Sequence, residues 1–181
     1  MLLALALVVT PVSNQEIDAV LAKIEAQARV ALSAQGSPKD LRHLLGSALD
    51  FDALAAYALD PEWSQLSDKQ RRRFVTLLQE VVVLQVESRI ERPIEFTVQV
   101  TRKQQAAEYV GVFAVVNPEA PDPIHLTLTL RKQERWRVVD ISVDGSSLAK
   151  GYRDEFLGLL TRVGFKAMLR ALSDKKKNLS R

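Results

Sequence analysis

Trp136-Arg137-Val138-Val139-Asp140-Ile141-Ser142-Val143-Asp144-Gly145-Ser146-Ser147-Leu148, running on as Ala149-Lys150-Gly151-Tyr152-Arg153-Asp154-Glu155-Phe156, is the stretch whose reading decides the fold. Its first half is rich in Val and Ile and alternates in polarity, which predicts a strand over 136–143. Its second half sets Leu148, Tyr152, Phe156, Leu159 and Leu160 at helical spacing. A strand therefore hands over to a helix at Asp144-Gly145-Ser146-Ser147, where glycine tolerates a positive φ and either serine can cap the new helix. Strand alternation puts Asp140 on the side of Trp136 and Val138. A carboxylate on a buried side needs a partner, and Arg153 is the expected one.

Working upstream, alternating apolar residues such as Ile94-Phe96-Val98-Val100 and Ile124-Leu126-Leu128-Leu130 predict strands over 94–101, 108–116 and 124–131. The short connection Lys132-Gln133-Glu134 favours an antiparallel hairpin, and Asn117 to Pro123 is a stiff loop with three prolines. Before the strands come helices. Ser13-Asn14-Gln15-Glu16 has the form of a capping box, and Ile17, Val20, Leu21, Ile24 and Ala28 then share one face of a helix to about residue 33. Gly36 ends it, Ser37-Pro38 opens a short helix with proline at its first position, and a further helix from Asp50 stops before Pro61. Ser67-Asp68-Lys69-Gln70 is a second capping box, opening the longest helix to about residue 90. Its first turns are amphipathic, but Val81-Val82-Val83-Leu84 and Val86 make its second half apolar on more than one face, so several sides must be covered.

After the decisive stretch, the last helix runs over 148–163. Gly164 serves as its C′ residue, and Phe165 to Leu172 adds an amphipathic piece. The whole predicts an α+β fold: helices on one face of a twisted antiparallel sheet of about four strands, enclosing an apolar cavity. A single domain over 14–172 is expected, followed by a basic tail at 173–181. The run Leu2 to Val9 has the length of a signal-peptide core and is too short to span a bilayer. No Lys or Arg precedes it, so it reads as the inside of a longer signal, a weak signal, or an apolar first segment of the fold. The first two readings predict export and a mature N-terminus between residues 9 and 15.

Composition removes several chemistries. The 181 residues contain no cysteine, which excludes disulfides, thiolate nucleophiles and Cys-based metal sites. Of the two histidines, His43 falls in a helix and His125 on the polar side of a strand, with no H-E-x-x-H, so neither a zinc site nor a triad is supported. Ser142, Ser146 and Ser147 lack a G-x-S-x-G context, and the seven glycines are too scattered for a phosphate loop. Lys69 to Arg73 is basic but carries no interleaved aromatic, which argues against nucleic acid. The net charge of +3 is unevenly placed: residues 131–181 hold 13 Lys and Arg against 6 Asp and Glu. That asymmetry fits either a solvated basic tail, as Lys175-Lys176-Lys177 suggests, or a surface that meets something anionic.

Three groups of residues resemble the MlaC, or toluene-tolerance, family of periplasmic phospholipid-binding proteins. The first is Trp136, Val138, Asp140, Gly145, Ser147, Leu148, Tyr152, Arg153 and Phe156, similar to the family's W-x-V-x-D strand, G-x-S-L turn and Y-R-x-x-F helix start. The second is Phe51-Asp52, Leu59, Trp63, Ser67, Gln70 and Phe74; the third is Gly164-Phe165 with Leu169 and Leu172. The chain departs from the family at Val139 and Val86, where aromatics are usual, and near Asp60, where a glycine is.

The resemblance implies a soluble, non-enzymatic periplasmic carrier without cofactor, whose cargo is phospholipid. It would exchange lipid between an outer-membrane lipoprotein complex and an inner-membrane ABC transporter with an MCE-domain subunit, and a monomer is expected. Acyl chains need a closed apolar pocket, expected between the sheet face and the long and final helices. Its candidate lining is Leu78, Val82, Val86, Phe96, Val112, Leu126, Leu128, Val139, Ile141, Tyr152, Phe156 and Leu160, each of which ordinary core packing would also explain. Two other classes stay open: an NTF2-like enzyme acting on a small apolar substrate with Asp140 as general base, and an interaction domain without ligand.

Overall fold

The computed structural model describes residues 13–180. The apolar run at 2–9, and with it the expected export signal, lies outside the described residues. Helices α1 (Asn14–Leu32), α2 (Pro38–Ala48) and α3 (Phe51–Ala58), a 3-10 turn (Glu62–Gln65) and α4 (Asp68–Glu87) precede the sheet. The strands follow as β1 (Val98–Ala106), β2 (Tyr109–Val116), β3 (Ile124–Lys132), β4 (Trp136–Val143) and β5 (Ser146–Ser147), and α5 (Leu148–Leu179) closes the chain. The sheet is antiparallel throughout, in the order β1-β2-β3-β4-β5.

Local chemistry accounts for most boundaries. Ser67 and Gln70 satisfy each other's backbone N–H at the start of α4, and Ser37 with Asp40 does the same for α2. The expected box at Ser13 does not form. Glu16 instead accepts from Lys132 Nζ at 2.8 Å and Trp136 Nε1 at 2.9 Å, tying α1 to the β3–β4 hairpin. Those two bonds hold its carboxyl below the usual range, the Lys132 bond having the larger effect. Asp144 and Gly145 both take positive φ, the two-residue turn that matches the twist of a hairpin. That turn adds β5, a fifth strand of two residues.

Three expected features change. β1 begins at Val98 rather than residue 94, because β2 ends opposite it at Val116. The chain ahead of Val98 has no strand to pair with beyond the Thr97–Asn117 bonds. Gly164 breaks α5 at the expected position, though in an extended positive-φ conformation (φ 74°, ψ 166°) rather than the left-handed one of a C′ glycine, and the second limb continues past residue 172 to Leu179. It also folds back: Lys175 Nζ lies 2.9 Å from Glu155, although twenty residues of straight helix would part them by about 30 Å. The third change is a β-bulge. Thr129 pairs with Asp140 and Leu130 with Val138, leaving Val139 as the extra residue. Beyond it the alternation inverts, so Val138, Ile141 and Val143 share the face of Leu130, Leu128 and Leu126. Asp140 lies on the opposite face, not with Trp136 and Val138.

The core sits between α3, α4, α5 and the face of β2–β4 that carries Val110, Val112, Leu130 and Val138. Phe156 anchors it, edge-on to Phe74 at 5.2 Å and stacked on Tyr152 at 5.5 Å. Along the free edge of β4, Asp50 donates its N–H to Val138 O at 2.8 Å. It also caps α3 and faces Arg131 at 3.8 Å. Arg137 donates to the Gly46 and Leu49 carbonyls beside it.

Candidate functional site

Two clefts flank the hinge from β4 to α5, one for each face of the sheet. The first, of about 600 Å³, lies on the helix-covered face. Val82 and Val86 of α4, Ile141 and Val143 of β4, Leu45 and Leu49 at the end of α2, and Leu148 and Tyr152 of α5 make its apolar walls. Gln85, Arg89 and Glu155 supply polar groups to it, Arg89 and Glu155 from exposed positions. Tyr152 crosses it, donating its hydroxyl to Gln85 Oε1 at 2.8 Å and so joining α5 to α4. Burial pushes that hydroxyl up to about 12; the Glu155 carboxylate adds to the rise and Arg89 opposes it. Tyr152 is therefore a neutral donor at any physiological pH.

The second cleft, of about 640 Å³, is lined by Val139, Asp140, Thr129, Arg131 and Tyr109 of the sheet, with Tyr57 and Trp63 opposite. Asp140 spends both oxygens on the start of α5: Oδ2 accepts from Ser147 Oγ at 2.7 Å and Oδ1 from the Ala149 N–H at 2.9 Å. Ser147 Oγ in turn accepts from the Lys150 N–H. Arg153, the expected partner of Asp140, lies 3.5 Å from Asp60 and bonds to Tyr57 O instead. A general base aimed into the apolar cleft is thus not the geometry present: Asp140 is on the other face and committed to a helix start.

Of the twelve candidate lining residues, Val82, Val86, Ile141 and Tyr152 come together on the first cleft. Leu78, Val112 and Phe156 are core, each at most 1% exposed. Leu126 and Leu128 lie on the same sheet face, opposite Val143 and Ile141 in register, and Leu160 packs half-buried against the core. Val139 lines the second cleft, carried there by the bulge. Phe96 lines a third, beneath the Arg29 guanidinium at 4.8 Å. Leu45, Leu49, Gln85, Ile90, Leu148 and Glu155 were not expected. Gln85 carries a readable signal, being polar within the all-round apolar part of α4.

The expected closed pocket is instead an open cleft. The apolar face of the sheet runs on past this cleft, where Ala114 is buried. There the cross-strand row Val100–Ala114–Leu126–Val143 continues from the cleft, with Val100 42% and Val143 43% exposed. Among the described residues, no helix is long and apolar enough to cross a membrane, and no group of three His, Cys, Asp or Glu could hold a metal ion.

No curated protein sequence matches the chain. Among solved structures it is similar to a phospholipid-binding protein from Ralstonia solanacearum, determined in complex with a phospholipid. The TM-score is 0.74 over 92% of this chain and 96% of that one, at 21% identity, so the two share a fold. A family model described as MlaC protein matches residues 14–174, from the first turn of α1 into the second limb of α5, and the chain belongs to the MlaC family.

Proposed function

We propose that this protein is a phospholipid carrier. It holds acyl chains in the cleft framed by Val82, Val86, Ile141 and Tyr152, and keeps the headgroup at the rim beside Gln85, Arg89 and Glu155. The observation that carries this reading is the cleft itself, whose apolar walls come from four elements and whose charged groups are confined to exposed positions. Leaving a bilayer forfeits about 0.8 kcal/mol per methylene, so two chains with ~30 methylenes forfeit roughly 24 kcal/mol. A carrier must return that by apolar contact. The row Val100–Ala114–Leu126–Val143 extends the apolar path beyond the cleft and would take the chain ends. Membership of the MlaC family and the phospholipid bound by the Ralstonia protein support the same cargo.

The finer reading places the protein in the periplasm as a monomer. It would pass lipid between an outer-membrane lipoprotein complex and an inner-membrane ABC transporter with an MCE-domain subunit. The transporter's ATPase supplies the energy, and this chain supplies a water-excluding path. Native mass spectrometry of protein purified from cells tests the cargo. A mass excess that fragments to phospholipid is expected; a ligand-free mass, together with no uptake from donor vesicles, would leave an interaction domain instead.

A further inference from the structure

Ion pairs fix the register of three helical segments that run side by side. Glu80 of α4 pairs with Lys176 at 2.8 Å, and Glu155 in the first limb of α5 pairs with Lys175 in the second at 2.9 Å. Residues 80, 155 and 175–176 therefore share one level. Five to eleven residues from that level, towards the start of α4 and the Gly164 turn, is about 8–17 Å along each helix. That distance brings 69–73 of α4, the turn at 162–164 and the stretch 166–170 to one end of the molecule.

This end is cationic. Lys69, Arg72, Arg73, Arg162, Lys166 and Arg170 are all exposed. No acidic residue occurs between Glu155 and Asp174, and the nearest acids along α4's approach are Glu62 and Asp68, the latter 4.0 Å from Arg71. Among the described residues, none of the six side chains has an ionic or hydrogen-bonding partner. The lysine run nearer the C-terminus differs: Lys175, Lys176 and Lys177 are paired with Glu155, Glu80 and Asp174. Among the described residues of α5, free positive charge is thus at the hairpin apex rather than at 175–177. At that apex Val163 is 51% exposed, next to the turn glycine.

We propose that this end of the α4–α5 layer docks on the surface of an anionic phospholipid bilayer. None of the three clefts described is lined by these residues. Six cations on long flexible stems, spread around a projecting apolar residue, match a plane of anionic headgroups. Such a plane accepts point charges in any arrangement and lets Val163 reach the acyl boundary. An acidic protein would instead require fixed, matching positions. The proposal concerns contact with a bilayer rather than cargo, and stands without the carrier reading.

Sedimentation of the full chain with vesicles tests it. Binding to phosphatidylcholine vesicles containing about 30% phosphatidylglycerol should exceed binding to pure phosphatidylcholine by roughly tenfold or more, and should weaken as added salt shortens the screening length. Arg162→Glu/Lys166→Glu/Arg170→Glu, and separately Lys69→Glu/Arg72→Glu/Arg73→Glu on the neighbouring helix, should each lose about tenfold. The equal charge change at the remote exposed sites Lys23, Lys39 and Arg135 should not. Thermal melts and bound-lipid mass, unchanged in all three variants, separate loss of docking from loss of fold or cargo. Equal binding to neutral and anionic vesicles, or both apex variants binding like the parent, would overturn the proposal and point to a protein partner.

Discussion

Replacing Asp140 tests how the hinge is built. Its carboxylate accepts two hydrogen bonds, from Ser147 Oγ and from the Ala149 N–H in the first turn of α5. Bonds to a charged acceptor contribute about 1.5–3 kcal/mol each. The site is half-buried, so water recovers part of that loss on truncation. Asp140→Ala should therefore cost about 3 kcal/mol, a fall in Tm of roughly 6–12 °C for a domain of this size. Asp140→Asn keeps an oxygen for Ala149 and turns its amide towards Ser147. It loses the charge near the positive end of the helix, worth about 1 kcal/mol. Ser147→Ala should cost about 1 kcal/mol in the parent, by loss of the cap, and less in the Asp140→Ala background, since the two side chains act as a pair. Urea titrations at constant m-value give all four corners of the cycle. An Asp140→Asn variant more stable than the parent would refute the reasoning. It would mean that the carboxylate is a burden tolerated for chemistry rather than a tie.

Other perturbations separate cleft from core. Val86→Glu places a charge on the cleft wall and should abolish lipid co-purification while destabilising the fold less than Phe74→Ala, for which cavity formation costs about 3–5 kcal/mol; unchanged lipid content in native spectra would move the cargo elsewhere. Tyr152 has its pKa raised from 10.0 to about 12 in the fold. The neutral form is favoured, so its contribution is complete below about pH 10 and falls by roughly 2.7 kcal/mol as pH rises to about 12. Tyr152→Phe should flatten that alkaline limb in stability-against-pH curves. Glu16 shifts the other way, its carboxyl held low by Lys132 and Trp136, so its contribution is present above the usual carboxylate range and lost as pH falls. The Tm of Glu16→Gln should accordingly depend less on acid than that of the parent; identical acid limbs would show that the tie between α1 and the hairpin adds nothing.

Where a signal is local, the sequence was readable. The bounds of β4, the Ser67 capping box and the break at Gly164 each depend on residues within a few positions of one another, and each stands where the pattern puts it. Signals that depend on a distant partner were not. Glu16 looked like a cap because its true partners, Lys132 and Trp136, are more than a hundred residues away. Ile94 and Phe96 alternate like a strand, yet β2 offers them nothing to pair with. The same limit governs the candidate site. Periodicity correctly marked Leu78, Val112 and Phe156 as inward-facing, but not whether a neighbour or a cleft meets them. Asp140, Val139 and Ile141 were misplaced relative to one another by the unpaired residue in β4, which leaves no mark on the apolar pattern.

That extra residue divides β4 by parity. Even-numbered positions Trp136 and Val138 face the core before it, and odd-numbered Ile141 and Val143 do so after it. Val139 is thus a frame-shift written into one strand, and deleting it would restore a single reading frame. Such a deletion leaves Asp140 opposite Thr129 and Ile141 opposite Leu128, on their present faces; pairing Val139 regularly with Thr129 instead would set Asp140 opposite Leu128, turning a carboxylate into the apolar cleft and removing the acceptor that starts α5. That Val139 stays unpaired therefore sets both the polarity of the cleft and the anchoring of the last helix, whereas substitutions on either side of the bulge can alter one cleft without touching the other.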